Sequence, residues 1–150
     1  MKKYNYILSI KSLLSFFILS TIISCAKVEE TNVYSKTAKF STSPFIIDCP
    51  SPLRFTRNSN ALHIDLSDKW YLLQSKTGVI KVNESKEITI AVSAFDSNGN
   101  EYFAAGYGMA GGSFAAYFSC SSKIKLVKIK ITSSDEIECR RIFWHCYNPI

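Results

Sequence analysis

From Pro44 to Ile150 the sequence predicts an all-β fold, a single domain built as an antiparallel sandwich. Three observations carry this. Apolar residues alternate with polar ones in Leu62-His63-Ile64-Asp65-Leu66 and again through Ile88, Ile90 and Val92, the period of a sheet with one buried face. Turn formers recur at intervals of about 8 to 12 residues, the spacing of a sandwich or barrel. No stretch of this region keeps the period of about 3.6 residues that a helix requires.

The elements follow in order. Phe45 to Cys49 is a first strand, stopped by Pro50 and Pro52, and Leu53 to Arg57 is a second, closed by Asn58-Ser59-Asn60. Leu62 to Leu66, Trp70 to Gln74, Val79 to Val82 and Glu87 to Phe95 come next. Asn98-Gly99 predicts a type I′ hairpin, with positive φ at both central residues. Tyr102 to Met109 returns from it, and Gly111-Gly112 turns into Phe114 to Cys120. In Lys123 to Ile131, Ile124 and Leu126 share one parity while Val127, Ile129 and Ile131 share the other, so a bulge at Leu126-Val127 is expected. Ser133-Ser134-Asp135 is read as the turn into a last strand, Ile137 to Tyr147, paired with its predecessor.

Before this domain the chain carries the zones of an export signal: Lys2 and Lys3, an apolar run from Ser12 to Ile23, then small residues at Ser24 and Ala26. The run is too short to span a bilayer, which takes about 20 apolar residues. Ile22-Ile23-Ser24-Cys25 resembles a bacterial lipobox. The resemblance implies a signal peptide over 1–24 and a diacylglyceryl group and an amide-linked acyl chain on Cys25, enough lipid for stable membrane attachment. Ala26 stands where an Asp often retains such proteins at the inner membrane, so an outer-membrane lipoprotein is expected, periplasmic or surface-exposed. Residues 25–43, rich in Thr, Ser, Lys and Glu, read as a flexible lipidated tether, and 44–150 as the domain.

The net charge of +6 includes Lys2, Lys3 and Lys11; without them 15 basic residues face 12 acidic ones, a net +3 with no block of like charge. That excludes nucleic acid as the expected partner. The run from Trp70 to Ile80, Trp-Tyr-Leu-Leu-Gln-Ser-Lys-Thr-Gly-Val-Ile, continued by Glu84-Ser85-Lys86-Glu87-Ile88-Thr89-Ile90, resembles the BACON-type and related immunoglobulin-like domains of bacterial surface proteins. The resemblance covers about 25 residues, implies an immunoglobulin-like sandwich and transfers no functional residue. Gly78 fits the positive φ of its turn, and Trp70 is expected to anchor the core.

Setting Cys25 aside leaves Cys49, Cys120, Cys139 and Cys146, an even set suited to an oxidising compartment. A hairpin turning near Ser133 sets Cys120 opposite Cys146 and leaves Cys49 to pair with Cys139. The alternative, Cys139 with Cys146, lacks a turn former between them and points the two side chains to opposite faces. No C-x-x-C spacing suggests a metal, and no cofactor is expected. Gly106-Tyr107-Gly108-Met109-Ala110-Gly111 matches G-x-G-x-x-G in letters only, since no helix opens on its last glycine.

No catalytic residue is assigned. His63 and Asp65 share the expected solvent face of one strand and read as a salt bridge; His145 reads as a half-buried edge residue, and Ser113 lacks a nucleophile elbow. Lys123, Lys125, Lys128 and Lys130 line one strand, either as a guarded edge or as a docking strip for an anionic partner, with Tyr107 and Trp144 available for stacking on a ligand. These features predict a non-enzymatic envelope lipoprotein that binds glycan or protein. An envelope inhibitor or immunity protein against a secreted hydrolase is the alternative, and a small hydrolase using His63 and Asp65 the different-class one.

Overall fold

The computed structural model describes residues 27–55, 60–119 and 124–148. They form twelve strands: β1 Lys27–Tyr34, β2 Ala38–Phe40, β3 Phe45–Arg54, β4 Asn60–Leu66, β5 Trp70–Gln74, β6 Val79–Val82, β7 Lys86–Asp96, β8 Glu101–Phe103, β9 Gly106–Ala110, β10 Ser113–Phe118, β11 Lys125–Ser133 and β12 Ile137–Asn148. Two antiparallel sheets pack face to face as an immunoglobulin-like sandwich. One runs β1-β12-β4-β10-β9, with β2 also on β12; the other runs β3-β11-β7-β6-β5, with β8 also on β7. In each sheet one long strand offers a single edge to two short partners: β12 pairs β2 and then β1, and β7 pairs β6 and then β8.

Period-2 alternation builds the core. Ile88, Ile90 and Val92 of β7, Leu62 and Ile64 of β4, and Ile129 and Ile131 of β11 all turn inward. The expected bulge is present, because the register of β11 slips between Leu126 and Lys128 against both neighbours. The largest buried side chain is Trp144, whose ring meets Phe55 edge-on at 5.3 Å and whose Nε1 donates to the Arg54 carbonyl at 3.1 Å. Trp70, expected as the core anchor, is only half-buried, edge-on to Phe114 at 5.7 Å.

Several expectations need correction. Residues 27–40 are part of the fold rather than a tether, since β1 and β2 pair β12 and bury Val33, Ala38 and Phe40. Phe45 to Arg54 is one strand through both prolines, which an edge position and a register break opposite Val127 permit. Tyr102 to Met109 splits into β8 and β9, which belong to different sheets. At Asn98-Gly99 only Gly99 has positive φ (82°), and Asp96 accepts from the Asn98 and Asn100 backbone amides, so the turn is longer than type I′. The type I′ pattern occurs instead at Asn83-Glu84, with φ of 48° and 62°.

The last two strands form no hairpin. β11 sits in the second sheet and β12 in the first, so the register that was to bring Cys120 opposite Cys146 does not exist. Cys49, Cys139 and Cys146 are free thiols, so Cys49 is not bonded to Cys139; Cys120 and Cys25 fall outside the described residues. A register break between Cys139 and Arg141 also turns Cys139 and Cys146 to the same inner face, where both are buried. Burial pushes the Cys49 thiol up to about 11, with the Asp48 charge adding to it, and burial pushes Cys139 up to about 11 against a backbone hydrogen bond at Ala38. A thiol reagent at neutral pH is therefore expected to react slowly with the native protein and to count at least these three thiols after unfolding. Finding none would restore the disulfide pairing.

Candidate functional site

Two of the predicted surface residues belong to the core. Trp144 is 1% exposed and Tyr107 9%, the latter stacked on Phe114 at 5.4 Å with its hydroxyl accepting from the Val92 amide at 3.2 Å. The lysine strip lies in the middle of its sheet and guards no edge, since β3 and β7 flank β11. Lys128 reaches Asp48 at 3.7 Å, and Lys130 is paired with Glu101 and stands 5.4 Å from the Phe95 ring. The hydrogen bond from Lys130 holds the Glu101 carboxyl below the usual carboxylate range. Of the four, Lys125 alone is exposed without an ion-pair partner among the described residues, and Lys123 lies outside them.

The residues weighed for catalysis do come together, on the outer face of the first sheet. Ser113 donates to Asp65, whose other oxygen accepts from Arg141 Nε at 3.1 Å. Arg141 Nη1 also donates to Glu30 at 3.2 Å, and Glu30 lies 3.0 Å from His145 Nε2. The His145 ring is 4.3 Å from that of His63, which stacks on Phe143 at 4.9 Å. His63 is not on a solvent face: it is 3% exposed, and its Nε2 has no hydrogen-bond partner. Alternation gives the face of a strand but not what covers that face. Chemically the network crosslinks β1, β12, β4 and β10. The Ser113 hydroxyl is directed at a carboxylate that Arg141 already holds, whereas nucleophilic activation needs a base free to take the proton.

A different site forms at the start of β5. Trp70, Tyr71 and Lys69 line a cleft of about 380 Å³ together with Asn83 and Glu84 of the β6–β7 turn. Trp70 is pinned against Phe114, and Tyr71 is 43% exposed. The Asn83 amide donates to the Lys69 carbonyl at 3.0 Å and Ser85 to Val82 at 3.3 Å, so the turn is fixed to the strand that carries the aromatics. Glu84 occupies a left-handed conformation in which a residue other than glycine costs about 1–2 kcal/mol. Sequence reasoning missed this cleft. Its signal was Asn83-Glu84 between a short apolar strand and a long alternating one, where a glycine would be the usual second residue.

The chain matches no protein-family model, no curated protein and no solved structure.

Proposed function

We propose that the chain is a non-enzymatic envelope lipoprotein, acylated on Cys25 and held at the outer membrane, that binds glycan or protein partners, with a saccharide taken in the cleft of Trp70, Tyr71, Asn83 and Glu84. The observation that carries this is the pairing of a partly exposed aromatic surface with a strained turn that presents an amide and a carboxylate beside it. Aromatic faces take the apolar side of a sugar ring, and the amide and carboxylate suit its hydroxyls. Strain kept at such a position points to a use for the side chain. Asp65, already held by Ser113 and Arg141, and His63, 3% exposed, speak against the hydrolase reading.

The inhibitor reading draws on another surface. Ile46 and Phe103, 56% and 71% exposed, end a cross-strand row through Lys130 and Ser93 on the outer face of the second sheet. A pull-down dominated by one tight complex with a secreted hydrolase, lost on changing Phe103 to Ser, would favour it.

A glycan array probed with the full chain in neutral detergent tests the first reading. Tyr71→Ala is expected to weaken the best ligand about tenfold. Glu84→Gly has two expected effects of opposite sign: weaker sugar binding, and a gain of about 0.5–1 kcal/mol in stability as the left-handed strain is relieved. An array without ligand, or sugar affinity indifferent to both changes, refutes the cleft.

A further inference from the structure

We infer that a second cleft, at the end of the sandwich where β1 begins, binds the phosphate of an anionic lipid headgroup; this rests on the reading of Cys25 as the acylated residue. Arg54 and Lys125 are register partners at the end of β3 and the start of β11, and both are exposed. They line a cleft of about 400 Å³ with Ser51, with Glu29 and Thr31 of β1, and with Trp144. No described residue holds either cation in an ion pair, which is also true of Lys36, Lys69, Lys76, Lys81 and Arg140, but Arg54 and Lys125 are the two that stand side by side in one cleft. The backbone at Arg54 is fixed by the Trp144 indole, which donates to its carbonyl at 3.1 Å.

The position of the cleft identifies its occupant. Cys25 precedes Lys27, the first residue of β1, by two residues, and Glu29 in the cleft wall follows two residues later. An extended chain spans at most about 3.6 Å per residue, so Cys25 lies within roughly 14 Å of that wall. Because β1 leaves no spacer, an acylated Cys25 seats this end of the sandwich against the headgroup layer. A guanidinium grips phosphate oxygens in pairs and an ammonium adds a compact charge. The hydroxyls of Ser51 and Thr31 can donate to further oxygens, and the Glu29 carboxylate opposite can accept from headgroup hydroxyls, which favours a glycerol headgroup.

The test uses the full chain with Trp70→Phe in neutral detergent, so that Trp144 is the reporting indole. Short-chain phosphatidylglycerol, short-chain phosphatidylcholine and inorganic phosphate are titrated separately. Saturable fluorescence change with phosphatidylglycerol, about 30-fold weaker in R54Q/K125Q, is expected from two cations at an anionic surface. Should the double variant fail to fold, Lys125→Gln, at an exposed position, is expected to lose about fivefold. Equal affinity for phosphatidylcholine, or for inorganic phosphate, overturns the assignment. Intact mass on the same sample separates the two readings: a chain without acyl mass on Cys25 refutes the anchor, and an acylated chain indifferent to phosphatidylglycerol refutes the cleft alone.

Discussion

Gly78→Ala is expected to destabilise the protein by about 4 kcal/mol, a large share of the 5–15 kcal/mol typical of a folded domain. Gly78 has φ of 69°, and a β-carbon there would lie 2.3 Å from the Ile90 carbonyl oxygen and 3.1 Å from the Tyr107 ring. The first contact is with backbone in the middle of β7, so it cannot be relieved by a side-chain rotation. Moving it also strains the hydrogen bond from the Ile90 amide to the Gly78 carbonyl, 3.0 Å long. Gly99 supplies the control. Its φ is 82°, but nothing lies within 4 Å of a β-carbon, so Gly99→Ala carries the conformational cost alone, about 1–2 kcal/mol. Urea melts of the two variants should differ in midpoint with similar slope. A Gly78→Ala midpoint matching that of Gly99→Ala would show that β7 yields at Ile90 and would sink the claim of close backbone approach.

That close approach explains part of what the sequence revealed. Gly78 was legible as a turn glycine, and the alternation of Ile88, Ile90 and Val92 gave the inward face of β7. The phase break in Lys123 to Ile131 gave the bulge of β11 for the same reason: side-chain parity is local, and a strand with one face on the core must keep it. What failed was long-range. Ser133-Ser134-Asp135 serves a crossover between sheets as readily as a hairpin, so the partner of β12 could not be read from its turn. The register break at Arg140 then moved Trp144 inward and with it the expected stacking surface. The polar N-terminal strands escaped notice because their pairing partner, β12, lies about 100 residues or more away. Glu30, which lies in β1, escaped with them, and so did the network that covers His63.

The acid stability of the protein is expected to depend on His63 above its other titrating groups. Burial, and then the neighbouring His145, push its pKa down from 6.5 to about 4, with Arg141 acting in the same direction and Asp65 and Glu30 opposing. Above pH 6.5 neither folded nor unfolded chain carries a proton on this imidazole. Between 6.5 and about 4 the unfolded chain takes one and the folded chain does not, so stability falls with pH across that window, by about 3 kcal/mol in all. His63→Phe keeps a ring for Phe143 to stack on and removes both the titration and the unpartnered Nε2. It is expected to flatten the curve between pH 7 and 4 and to raise stability at pH 7 by about 1 kcal/mol. His63→Gln serves as a second variant if the larger ring does not fit. The carboxylates of Glu30 and Asp65 remain in both variants, so an acid slope that survives unchanged would move the effect from His63 to the ion pairs that hold β1 and β4 to β12.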